Sequence, residues 1–350
     1  MEMHVLCYGA GAVGSLVGGV LSRSGAAQVT LLGRRAHVAA VRTWGLHVET
    51  PDGVATCKRL DSITTLDDLG APPDLVVLTV KAYQTGEAIE ELAPLLRRGA
   101  RVVTLQNGIG AEEAIAEAAG ADRVIAGTLT LSVSLLRPGA VRQHTADGGV
   151  ALAPVDGDAS VADIAEALRR AGLRVDVLGD YRAMKWSKLL LNMLGNATSA
   201  ILDLPPSEIV RNPRLWGIER DAFREAVRVM QALDRAPVAL PGYPVPALVK
   251  AMRAPAWIAR RTVGPRLGAG RGGKMPSLHE DLERGRERSE VEVLNGAVAR
   301  EGRALGVPTP VNAVLADVLT AIAAGRRPRD EFRRNPNALL AACRAAPVPT

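Results

Sequence analysis

Aromatic side chains are scarce: they make up 3% of the 350 residues, with only two phenylalanines. Any sizeable core must be aliphatic, and the 47% hydrophobic content can supply it. Cysteine is nearly absent. Cys7, Cys57 and Cys343 are far apart, odd in number and form no CxxC, which argues against a disulfide framework and against a zinc site. The five histidines show no i,i+4 pair or other metal spacing, so no metal is expected. No apolar run reaches the roughly 18 residues needed to span a bilayer. The start, MEMHVLCYGAG, lacks the basic segment and long apolar core of a signal peptide. The expectation is a soluble cytoplasmic protein with no membrane partner.

Acidic residues are missing from one long stretch. Residues 235–274 hold eight Lys or Arg and no Asp or Glu, which leaves the remaining chain near −2 although the total is +6. The stretch is also rich in Pro and Gly, and it reads as a solvated insertion or long loop. No DNA- or RNA-binding motif accompanies the charge, so no nucleic-acid partner is expected.

What is present is a regular alternation. HVLCYGA, QVTLLGR, DLVVLTVK, RVVTLQNG and RVIAGTLTLSV are Val/Leu/Ile-rich runs of the type buried on both faces of a parallel sheet. Helical stretches separate them, most ending at Gly. GAVRQHTADGGVALAPV and LRVDVLGD, flanking a helical stretch at 159–172, complete the sheet. After Asp180 the strand signal stops, and helices are predicted over 181–202, 206–233, 288–305, 311–324 and near 328–345. The predicted fold is a Rossmann-type doubly wound α/β domain over 1–180 followed by an all-helical domain over 181–350, which contains the 235–274 segment. The helical half is compatible with a homodimer.

The loop YGAGAVG places Gly9, Ala10, Gly11, Ala12, Val13 and Gly14 between the first strand and a helix. In this G-x-G-x-x-G spacing Gly9 permits a tight turn, Gly11 lets backbone approach a pyrophosphate, and Gly14 lets the helix pack close to the strand. The second strand ends in LLGRRAH. Arg34 and Arg35 stand where an NAD enzyme places an acid, and an arginine pairs well with a 2′-phosphate, so NADPH/NADP+ is expected with Arg34 as the more direct contact. Two more strand ends carry polar groups, Lys81 in LTVKAYQT and Asn107 in TLQNGIG. Taken singly, Lys81 reads equally as a solvated lysine and Asn107-Gly108 as turn chemistry.

KWSKLLLNMLGNATSAIL, residues 185–202, sets Lys188, Asn192, Gly195, Asn196 and Ser199 on one stripe of an otherwise apolar helix. Buried polar groups need partners, either in the protein or in a ligand. A lysine aimed at a forming alkoxide both donates a proton and neutralises charge, and amides one and two turns on can orient a small carboxylate or hydroxyl. Lys185, nearer the helix start, reads as solvated. His279 is open between a pocket and a surface role.

Together GAGAVG, VKAYQT, LQNGIG, KWSKLLLNMLGN, SEVEVLNG at 289–296 and GVPTPVN at 306–312 resemble the ketopantoate reductase (2-dehydropantoate 2-reductase) family, in family order over most of the chain. The resemblance implies NADPH-dependent reduction of 2-dehydropantoate to (R)-pantoate, with a Rossmann domain, a helical domain and an active site in the cleft between them. It implies Lys188 as proton donor and Asn192, Asn196, Asn107 and Ser277 as substrate contacts, with Asn107 at the boundary with the cofactor. It also places Glu290 beside the nicotinamide end, where that acid fixes the lysine or a substrate hydroxyl, and Lys81 near the cofactor ribose. The chain departs from the family at DLPPSE, where Pro205-Pro206 replaces a frequent asparagine, which leaves the identity of the 2-oxo acid substrate open. Two alternatives remain: an NADPH-dependent reductase of another 2-oxo acid, and a non-catalytic NADPH-sensing regulator.

Overall fold

A computed structural model describes residues 3–157, 159–269 and 275–345. The end of the basic segment, 270–274, lies outside the described residues. The chain forms two compact units: residues 1–106, 110–185 and 240–243 in one, and 107–109, 186–239 and 244–350 in the other.

In the first unit the strands are β1 (His4–Tyr8), β2 (Gln28–Leu32), β3 (Leu46–Thr50), β4 (Gly53–Cys57), β5 (Asp61–Ile63), β6 (Leu75–Leu78), β7 (Arg101–Thr104), β8 (Val124–Leu129), β9 (Val133–Arg137), β10 (Ala140–Gln143), β11 (Val150–Pro154) and β12 (Val175–Val177). Eight of them make one sheet in the order β12-β11-β8-β7-β6-β1-β2-β5. From β5 to β8 the pairs are parallel, in the strand order of a dinucleotide-binding sheet. The sheet is not wholly parallel, because β11 runs antiparallel to β8 and carries β12 with it.

Alternate residues of these strands serve two cores. Val5 and Cys7 of β1 pack with Leu16, Val17 and Val20 of helix α1 (Ala12–Ser24), while Leu6 and Tyr8 pack with residues of other helices on the opposite face. Among these are Leu92 of α3 (Thr85–Arg97) and Ile115 of α4 (Ala111–Ala119). Helix α2 (Arg35–Trp44) precedes them in the chain and α5 (Ala162–Arg170) follows.

A second, four-stranded sheet, β4-β3-β10-β9, was not expected from the sequence. Its hairpin, LHVET–PD–GVATC, is half-solvated and carries no long apolar run. Helix α1 sits against both sheets through glycine. A Cβ on Gly18 would meet Leu31 at 2.6 Å, and one on Gly19 would meet Val48 at 2.7 Å.

The helical elements continue with α6 (Tyr181–Met193), α7 (Ala197–Leu202), α8 (Pro206–Arg211), α9 (Pro213–Ala232), α10 (Val245–Arg253), α11 (Ala256–Ala269), α12 (Ser277–Glu283), α13 (Asn295–Ala304), α14 (Pro310–Ala323) and α15 (Pro336–Ala345). Helix α9 is the hub of the second unit, touching α8, α10, α11, α13, α14 and α15. Asn212 caps its start by accepting from Arg214 N and Leu215 N. It also holds Trp216 and Phe223, two of the few aromatic side chains, each 1% exposed.

Two expectations are corrected here. The predicted helix over 181–202 is broken at 194–196. The basic stretch is not a loop between 245 and 269 but two helices, α10 and α11. Pro244, Pro246 and Pro255 stand at helix starts, where the missing N–H costs nothing, while Pro265 lies inside α11. Met252, Ala259 and Val263 are buried, and Arg220 donates to Met252 O and Ala254 O at the end of α10. Among the described residues no helix is long and apolar enough to cross a membrane.

The packing of α1 has a measurable consequence. A Cβ on Gly14 would lie 2.4 Å from Gly9 O and 2.6 Å from Thr79 Oγ1. Gly14→Ala is therefore expected to lose about 1–3 kcal/mol in thermal or urea unfolding. The nearest atom to a Cβ on Gly11 is 4.0 Å away, so Gly11→Ala should unfold within about 0.5 kcal/mol of the wild type.

Candidate functional site

In the α/β unit the glycine loop is fixed by backbone. Gly9 N and Ala10 N both donate to Leu32 O, at 3.1 and 2.7 Å, and Thr79 Oγ1 donates to Gly9 O at 2.7 Å. Gly9 has φ +104, and a Cβ there would run into Val80 N at 2.9 Å, so both conformation and space require glycine. Gly11 is different: it is exposed, has φ −83 and has room for a side chain. Nothing inside the protein demands glycine there, which is what a backbone meant to touch a ligand looks like. Ala12 and Val13 open α1, whose N-cap, Gly11, offers no capping side chain. This arrangement fits the pyrophosphate of a dinucleotide.

The loop's anchor, Leu32, ends β2, and Arg34 follows two residues later as the N-cap of α2. Arg34 is exposed, and among the described residues its guanidinium has no hydrogen bond or ion pair. Behind it His37 is buried: Gly139 N donates to its Nδ1 at 3.1 Å, so Nε2 carries the proton toward Ser15 Oγ at 3.2 Å. Burial holds its pKa below the usual histidine range.

Lys81 lies three residues beyond β6, half-buried, at the start of a short 3₁₀ turn. The ends of β6 and β7 are joined by a buried polar network. Gln106 Nε2 donates to Val80 O and to Thr85 Oγ1, both at 3.0 Å, and Thr104 Oγ1 donates to Gln106 Oε1 at 3.0 Å. Lys185 belongs to this network, which corrects the reading of it as solvated. It is 3% exposed, its Nζ donates to Gln106 O at 2.6 Å, and it pairs with the equally buried Glu112 at 2.7 Å. No local pattern signals this pair, since Lys185 and Glu112 are 73 positions apart and each looks like an ordinary helix charge.

The helical unit gathers the amides. Asn192 Nδ2 donates to Asn107 Oδ1 at 2.9 Å. Asn196 Nδ2 donates to Asn192 O at 3.0 Å, and Asn196 Oδ1 accepts from Leu278 N, beside Ser277, at 3.2 Å. Asn107-Gly108 is thus more than a turn. Gly108 has φ +91 and no room for a Cβ against Val293, while Ile109 N donates to Val293 O at 3.2 Å. That docks the loop on the 3₁₀ turn Glu290–Val293, whose first residue, Glu290, is 4% exposed.

Lys188 lies one helical turn before Asn192 and is half-buried rather than enclosed. Asn192 is half-buried too, Asn196 is buried, and Ser277 is exposed at the start of α12.

His279 is buried, not a surface residue, and lies 2.7 Å from Asp203 Oδ1. Burial would raise the Asp203 pKa, but hydrogen bonds from His279 and Arg333 and the charge of Arg329 bring the carboxyl below its usual range. Asp203, His279 and Glu283 bring three ligand-type atoms within 4.8 Å of one another. Arg329 and Arg333 already neutralise those carboxylates, a poor setting for a cation.

Comparison with known proteins shows the family. The model of the ketopantoate reductase PanE/ApbA family matches residues 5–157, and that of its C-terminal domain matches 180–323. A 2-dehydropantoate 2-reductase of Halobacterium salinarum is 35% identical over 91% of this chain and 98% of its own length. That of Pyrococcus horikoshii is 31% identical over 89% and 95%. The crystal structure of a PanE/ApbA family ketopantoate reductase from Ralstonia eutropha superposes with a TM-score of 0.77 at 31% identity, covering 93% of this chain and 99% of the other. The ternary structure of D-mandelate dehydrogenase with NADH and anilino(oxo)acetate shares the fold, with a TM-score of 0.76 at 24% identity. The chain belongs to the ketopantoate reductase family of oxidoreductases.

Proposed function

We propose that this protein reduces 2-dehydropantoate to (R)-pantoate with NADPH, residues 1–180 holding the cofactor and 181–350 the substrate, as a cytoplasmic enzyme. The observation that carries the reading is the amide cluster of the helical unit, with Asn192 on Asn107 and Lys188 one turn away, in a chain of this family. A dinucleotide, when bound, supplies the hydride.

The chain's own residues do the rest. The loop Gly9–Gly14 holds the pyrophosphate, Arg34 pairs with the 2′-phosphate, and Lys81 reaches the ribose. Lys188 donates the proton to the keto oxygen and neutralises its charge as it forms, which lowers the barrier without adding a charged product. Asn107 and Asn192 orient the carboxylate or hydroxyl of the substrate while adding no net charge. Ser277 holds the far end of the substrate, and Glu290 fixes the lysine or a substrate hydroxyl from a second direction. With both amide atoms of Asn196 engaged by backbone, its part is to hold the others in place.

A different 2-oxo acid is the second reading. Pro205-Pro206 stands where the resemblance to the family implies an asparagine, and D-mandelate dehydrogenase shows this fold with an anilino(oxo)acetate bound.

Purified protein given 2-dehydropantoate should oxidise NADPH with (R)-pantoate as the product. NADPH should be preferred to NADH, and Arg34→Ala should erase about 10- to 100-fold of that preference by raising the NADPH KM. Turnover confined to another oxo acid would select the second reading, and tight NADPH binding without any turnover would point to a regulator. Lys188→Ala should lower kcat about 10²- to 10⁴-fold with the NADPH KM little changed; near-normal kcat would remove the lysine from the chemistry.

A further inference from the structure

Glu219 lies in the middle of α9, is 4% exposed, and has no part in the chemistry above. A carboxylate this deep needs hydrogen bonds to charge-bearing oxygens. Its Oε2 accepts one from a distant backbone. Gly195 N donates to Glu219 Oε2 at 2.7 Å, a contact between residues 24 positions apart.

Gly195 is the point where α6 stops. It has φ +61, the left-handed conformation that ends helices, and a Cβ there would lie 3.2 Å from Pro206 Cβ. The break is therefore held from two sides, by the carboxylate of α9 and by the buried proline that opens α8. Without the break, continuous helix would carry Asn196 on around the α6 axis. With it, Asn196 turns back to bond Asn192 O and accepts from Leu278 N, on the residue next to Ser277.

We propose that Glu219 is a positioning residue for the substrate site. By pinning Gly195 N–H it fixes the α6–α7 break, and through Asn196 it sets the start of α12 and the Ser277 hydroxyl. The proposal rests on the oxo-acid reductase reading. Lys188 and Asn192 precede the break, so their geometry depends on Glu219 less than that of Ser277 does. The latch thus acts on substrate affinity more than on the chemical step.

Two conservative variants separate its parts. Glu219→Gln keeps an oxygen within reach of Gly195 N–H and removes the charge. Glu219→Asp keeps the charge and draws it back by one methylene. The Asp variant should raise the oxo-acid KM about tenfold or more, while kcat and the NADPH KM stay within about threefold; the Gln variant should stay within about threefold on all three. An Asp variant with wild-type KM overturns the proposal, as does a Gln variant as impaired as Asp, or a NADPH KM that rises in step. Should Glu219→Asp not fold, the Gln variant decides alone, since a raised oxo-acid KM there contradicts the latch.

Amide hydrogen exchange gives a readout independent of turnover. Exchange at 193–199 and 277–282 should quicken in the Asp variant and not in the Gln variant, and unchanged exchange contradicts the latch. If the wild type reduces no oxo acid, the functional reading falls while this measurement still decides whether Glu219 holds the break.

Discussion

A buried amide or carboxylate has to keep its hydrogen bonds, and the helical unit is organised by that requirement. Asn107, Asn192, Asn196 and Leu278 come from three separate stretches of chain, yet three hydrogen bonds run through them in series. Each bond is worth only about 1 kcal/mol net when formed, but leaving a partner unmatched where it is buried, as at Asn196, costs about 1–3 kcal/mol. The asymmetry makes the arrangement nearly all-or-none. It also explains why an apolar helix tolerates two asparagines: they join segments that hydrophobic packing alone would leave free to slide.

Buried charges follow the same rule on a larger scale. Lys185 pairs with Glu112 and donates to the Gln106 carbonyl beneath the strand ends of the α/β unit. In the helical unit Glu225 accepts from Val311 N and Asn312 N at the start of α14 and from the Asn312 side chain. Burial raises the Glu225 pKa although these hydrogen bonds favour the ionised form. Removing one partner of such a set costs about 3–5 kcal/mol, whereas replacing a whole pair with apolar residues can be close to neutral. Their worth lies in fixing where backbone goes, and the backbone they fix carries Asn107 on one side and the first turn of α14 on the other.

The parts of the molecule that could be read from sequence are those whose cause is local. Gly9 and Gly14 are glycines because of atoms within a few ångströms, and that requirement leaves a spaced signature. The strands β1, β6 and β8 are buried on both faces and so are written as uninterrupted apolar runs. The β3–β4 hairpin has one wet face and so is written without an uninterrupted apolar run. Helices α10 and α11 were obscured by their own prolines, which mark helix starts as readily as loops. The status of Lys185 was invisible because its partner sits on another helix 73 residues away. Lys188, Asn192 and Asn196 were legible as a polar cluster, since polar groups on an apolar stripe demand explanation, but the break at Gly195 that redirects Asn196 was not.

Family membership and the amide cluster together make the oxo-acid reaction the reading that explains most residues. The account stands on Lys188 facing the oxygen that is reduced. The most direct measurement is a crystal structure with NADP+ and pantoate bound. The account predicts Lys188 Nζ within about 3 Å of the C2 hydroxyl oxygen, with Asn192 on the same ligand. A hydroxyl bound by other groups, with Lys188 turned away from it, would contradict the account.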